Sequence, residues 1–116
     1  MTPNEYQQAC LRTISPVAAS SGDDLLLQGV MGMNGEAGEA IDIVKKVRFH
    51  GHPFDDQTKE HLAKELGDVL WYISTSATAI GYDLEDVMKM NINKLQHRYK
   101  DGFSTEESLH RKKGDI

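Results

Sequence analysis

Apolar residues recur at helical spacing along most of the chain, and no segment alternates in the way a strand does. From Leu25 to Phe49, the residues Leu26, Val30, Met33, Ala37, Ile41 and Val44 follow one another at intervals of three and four. That spacing lines one side of a long helix and predicts an inward apolar stripe. Leu62, Leu66, Val69, Ile73 and Ile80 predict a further helix, closing at Gly81 as a left-handed terminator. Val87, Met88, Ile92 and Leu95 give an apolar side to the next, which Gly102 ends. At the start of the chain, Thr2 caps, Pro3 suits the first turn and Glu5 completes a capping box. That helix is expected to run to about Ile14 and break near Pro16. Asp23 or Asp24, Asp55 or Asp56, and Asp83 are the candidate caps of the later helices. The pattern predicts an all-α, four-helix bundle-like module, with 104–116 as a charged tail that frays or docks on a partner.

Glycines interrupt the second stripe at 29, 32, 35 and 38. Each costs a helix about 1 kcal/mol relative to alanine. Their recurrence predicts a very close neighbour or a kink.

Composition narrows the class. The chain has 116 residues, one domain's worth, and residues 1–116 are read as a single domain. Its hydrophobic fraction of 39% suits a water-soluble protein, and no apolar run is long enough to span a membrane. The polar start MTPNEYQQ shows no secretory pattern, and the lone Cys10 cannot form an internal disulfide. Both favour a cytoplasmic setting. A net charge of −5 argues against a nucleic-acid polymer as partner, though not against a nucleotide held through a cation. So short a chain leaves helix faces uncovered, which predicts self-association.

Four acids stand out. Glu36 and Glu39 lie in GEAGEAIDIVKK, Glu65 and Asp68 in AKELGDVLWY. Each pair is spaced i, i+3, so each projects from one face of a helix, beside its apolar stripe. Two such pairs on adjacent helices would line an inner groove and repel unless a cation lay between them. Carboxylate oxygens suit Mg²⁺, which commonly bridges protein acids to substrate phosphates. The competing reading is a solvated face paired with Lys45, Lys46 and Lys64. A ferritin-like di-iron centre requires two Glu-x-x-His motifs, and the central helices offer Glu-x-x-Glu and Glu-x-x-Asp instead. On the fourth helix, Asn91, Lys94 and Arg98 share a face suited to phosphate oxygens, or to the negative end of the helix itself.

GMNGEAGEAIDIVKK, KELGDVLWYIS and NINKLQHRYKDGF together resemble the MazG-like nucleoside triphosphate pyrophosphohydrolases of the all-α NTP pyrophosphatase superfamily, over about residues 25–103. The resemblance implies Mg²⁺-dependent hydrolysis, with Mn²⁺ as a substitute, of an NTP or dNTP to monophosphate and pyrophosphate. It implies metal ligation by Glu36, Glu39, Glu65 and Asp68, and a water oriented or deprotonated by a carboxylate, with Glu39 the first choice and Glu36 beside it. It implies phosphate contacts from Lys94 and Arg98, a sugar- or metal-proximal role for Asn91, and a further phosphate contact from Lys46. It also implies a homodimer or homotetramer. A non-catalytic nucleotide- or metal-binding module is the alternative.

Overall fold

The computed structural model describes residues 1–116 and is all-helical. Helix α1 spans Pro3–Cys10, and α2 is Gly22–Phe49. Helix α3 is Asp56–Ala79, α4 is Leu84–Arg98, and a short α5 is Thr105–Leu109. Two 3₁₀ turns, Leu11–Thr13 and Ala18–Ser20, connect α1 to α2. The first helix is therefore shorter than its expected end at Ile14, because the chain tightens into a 3₁₀ turn after Cys10. No helix is long and apolar enough to cross a membrane.

Local chemistry fixes the ends. Thr2 and Glu5 form the reciprocal capping box. Ser21, rather than Asp23 or Asp24, caps α2, its hydroxyl accepting from the Asp24 amide. Asp55 caps α3 through the Thr58 amide. Gly81 closes α3 at φ +79°, a region where a β-carbon is strained.

The frame is an antiparallel hairpin of α2 and α3. Gly29 lies against Ser76, and Gly32 under the ring of Tyr72. A β-carbon at either glycine would overlap those side chains, whereas Gly35 and Gly38 have nothing within 4 Å. The glycine run thus marks close approach at two positions and no break, since α2 continues for 28 residues.

Helix α1 crosses the end of α3 and meets the start of α4 there. Gln7 joins the three: its amide donates to Thr78 Oγ1 and the Tyr82 carbonyl, and its Oε1 accepts from the Leu84 amide. The buried residues Cys10, Ser74, Thr75, Ala77 and Leu84 cluster at this end. Elsewhere the interior is thin, with only 8 of 116 residues buried. The radius of gyration is 17.3 Å, against about 13 Å for a compact chain of this size. Val30, Ile41, Val44 and Leu66, expected to point inward, are 41–68% exposed in the single chain. One chain therefore provides a long hairpin with α1 and α4 at one end and leaves apolar faces open. The tail is ordered against α4: Ser104 caps α5, and Asp115 grips Arg98 through two 2.7 Å hydrogen bonds.

Candidate functional site

Midway along the hairpin, α2 carries Glu36 to Glu65 and Asp68 of α3. One carboxylate oxygen from each lies within 4.8 Å of the other two. The i, i+3 spacing puts Glu65 and Asp68 one turn apart on the same face. The Gly32–Tyr72 contact sets the separation of the helices one turn away. His61 holds Glu65 from the preceding turn, Nε2 to Oε1 at 3.0 Å.

No lysine or arginine pairs with the three acids. Lys45 and Lys46 both turn to Asp42, and Lys64 pairs with Glu60. The lysine pairing that the solvated-face alternative expected is thus not formed with these acids. The cost of this arrangement shows in Glu36. Burial raises its carboxyl pKa above the usual value, and Asp68, Glu65 and then Glu39 push it further.

Glu36 and Asp68 open into a cavity of about 390 Å³ lined also by Thr13, Trp71 and Tyr72. The Trp71 indole donates to Thr13 Oγ1 at 3.0 Å and meets Tyr72 edge-on, with ring centroids 4.9 Å apart. Tyr6 of α1 stands nearby. Burial pushes its hydroxyl pKa to about 12, helped by its hydrogen bond with Cys10 and by the charge of Asp68.

Three hard oxygen donors, two of them half-buried and none paired with a lysine or arginine, suit Mg²⁺ or Mn²⁺. A divalent cation among the three carboxylates would offset the repulsion that raises the Glu36 pKa. The donor set fits such an ion in chemistry and in spacing.

A sequence model of the MazG nucleotide pyrophosphohydrolase domain matches residues 24–103. The chain belongs to the MazG nucleotide pyrophosphohydrolase domain family. "Gene 37 protein" of Mycobacterium phage L5 is 40% identical over 98 residues, covering 80% of this chain and 84% of that protein. No solved structure matches the chain.

Within this MazG domain the remaining expected residues are distributed over other surfaces. Glu39 turns to an adjoining cavity of about 320 Å³, shared with Asp42, Lys46, His52 and His61. Asn91 and Lys94 line a cavity of about 660 Å³ beside Ile80, Tyr82 and Val87. Arg98 is engaged by Asp115. None of these lines the acid cavity of its own chain.

Several contributors were not singled out from sequence. Asp42 extends the row Glu36, Glu39, Asp42 at intervals of three and anchors Lys46, a signal present in the spacing. Thr13 and Tyr6 reach the site only because α1 folds across α3, which no local pattern encodes.

Proposed function

We propose that the chain is a Mg²⁺-dependent nucleoside triphosphate pyrophosphohydrolase. It cleaves an NTP or dNTP between the α and β phosphates and releases the monophosphate and pyrophosphate, as an enzyme of cytoplasmic nucleotide-pool sanitation would. The observation that carries this reading is the convergence of Glu36, Glu65 and Asp68, with no lysine or arginine paired to them, inside a MazG domain.

Glu36, Glu65 and Asp68 hold the cation, with Glu39 one turn along α2 completing the ligand row. A cation held there would supply charge neutralisation at phosphate oxygens and a more acidic water. His61 fixes the orientation of Glu65 from the turn before it. Glu39 orients the attacking water or takes its proton, from the adjoining cavity that it lines with Lys46 and His61. Lys46 offers a positive charge at the same rim. Trp71 and Tyr72 wall the acid cavity with apolar surface against which a base can lie.

Asn91, Lys94 and Arg98 contact the polyphosphate in an assembled homodimer or homotetramer. Two observations support assembly: the thin interior, and the open apolar faces of α2 and α3 that include Val30, Ile41, Leu66 and Leu70.

The test is product analysis on a panel of NTPs and dNTPs with and without Mg²⁺. Pyrophosphate and monophosphate are expected, with no turnover in EDTA. Orthophosphate as the first product rules out α–β cleavage. Binding without turnover across the panel supports a non-catalytic module instead.

A further inference from the structure

The tail and the end of α4 enclose a cavity of about 550 Å³, within the range of about 300–1,000 Å³ typical of small-molecule sites. Lys94, Arg98 and Lys100 line it from one side, and Arg111, Lys112 and Lys113 from the other. Glu107 and Asp115 are its only acids. Six cations against two carboxylates give a formal local charge of +4 in a chain whose formal total is −5. Only Arg98 among the six has an ion-pair partner.

That partner shows what the cavity recognises. Asp115 fits the Arg98 fork bidentately, at 2.7 Å on both arms. The Arg98 side chain is 9% exposed and that of Asp115 is 17%. Arg111 and Lys94 add their pull on the same carboxylate. Planar, two-oxygen recognition by a guanidinium serves a phosphoryl group as well as a carboxylate. The remaining lysines have charge to neutralise beyond what one carboxylate supplies.

We propose that the cavity between α4 and the C-terminal segment is a binding site for a polyphosphate anion, with Asp115 as its built-in occupant at the Arg98 fork. The ligand carries at least two linked phosphoryl groups, one displacing Asp115 from Arg98 and the next meeting Arg111, Lys112 and Lys113. The inference deepens the proposed function, resting on its reading that Lys94 and Arg98 meet phosphate. It adds a tail that lies beyond the matched domain at 24–103. Its source is a free inorganic polyphosphate or the triphosphate of a nucleotide.

The test is calorimetric titration of the full chain in EDTA with inorganic tripolyphosphate and, separately, with a nucleoside triphosphate. Tripolyphosphate is expected to bind, and more weakly as salt rises. Replacing Arg111, Lys112 and Lys113 together by glutamine is expected to weaken binding at least about tenfold, or ~1.4 kcal/mol, with helicity unchanged. Asp115→Asn is expected to tighten it severalfold. Equal affinity for the two ligands identifies a site that reads phosphate alone, and tighter nucleotide binding identifies the nucleotide as the source. Unchanged affinity in the triple variant overturns the proposal, as does a DNA oligomer that outcompetes tripolyphosphate. Failure of hydrolysis is separable: a chain that binds tripolyphosphate without metal but turns over no nucleotide sinks only the hydrolytic reading.

Discussion

Gly32 lies directly under the ring of Tyr72, so closely that a single added methyl group would occupy the space of the ring. Tyr72 is also a wall of the acid cavity. One glycine on α2 therefore sets both the helix separation and the position of an aromatic beside Glu36 and Asp68. Gly32→Ala is expected to destabilise the fold by about 1–3 kcal/mol through overpacking and to lower turnover. Gly35→Ala, with open space in the chain, is expected to stabilise by up to about 1 kcal/mol from helix propensity. Denaturant melts of both variants measure this. A loss at Gly35 would show that a second copy packs against it.

Glu36→Gln, Glu65→Gln and Asp68→Asn are each expected to abolish Mg²⁺-dependent turnover, by more than the 10–100-fold typical of outer-sphere partners. In the absence of metal, the same changes relieve repulsion and should leave the melting temperature unchanged or raised. A melting temperature that falls in all three would mean that the acids serve packing rather than ligation. Activity assays alongside thermal melts in EDTA separate the two.

His61→Ala removes the nitrogen 3.0 Å from Glu65. Its expected cost is about 10–100-fold in activity or metal affinity, with little change in stability, because His61 is solvent-exposed. Rescue by Gln, which can still donate to the carboxylate, would show that the hydrogen bond to Glu65 carries the effect.

Gln7→Ala strips three hydrogen bonds from the junction of α1, α3 and α4. Leaving buried partners unsatisfied costs about 1–3 kcal/mol each, so a clear drop in stability is expected in chemical denaturation. Gln7→Glu keeps the acceptor for the Leu84 amide but sets a buried carboxylate oxygen against the Tyr82 carbonyl, and is expected to cost at least as much as Gln7→Ala at neutral pH.

Asp115 titrates as a depressed acid because Arg98 hydrogen-bonds its ionised form, with further help from Arg111 and Lys94. Its folded pKa lies below its value in an open chain. The pair therefore stabilises the tail fully above the ordinary carboxylate range, and that stability is lost as pH falls through the depressed pKa. An NMR titration of the Asp115 carboxyl should show a midpoint below 3.8, with amide protection in α5 falling at the same pH. A midpoint at or above the ordinary value would mean that the pair does not persist in solution.

The sequence carried what is local and periodic. The Thr2–Glu5 box, the Asp55 cap and the Gly81 stop are dictated by neighbours within a few residues, and all appear as expected. Glu65 and Asp68 share a face through helix geometry alone. What the sequence did not show depends on distance along the chain. Arg98 meets Asp115 across 17 residues of polar tail, and Trp71 meets Thr13 across 58. Neither pairing leaves a periodic trace. The stripe through Val30, Ile41 and Val44 was legible as apolar, but periodicity alone does not say whether its cover comes from the same chain.

Trp71 is the only tryptophan in the chain, and it stands in the wall of the acid cavity with its indole N–H tied to Thr13. Indole emission from this protein is therefore a single-site signal. Quenching or a spectral shift on adding cation or nucleotide would report directly on occupancy, in the native chain and without a dye.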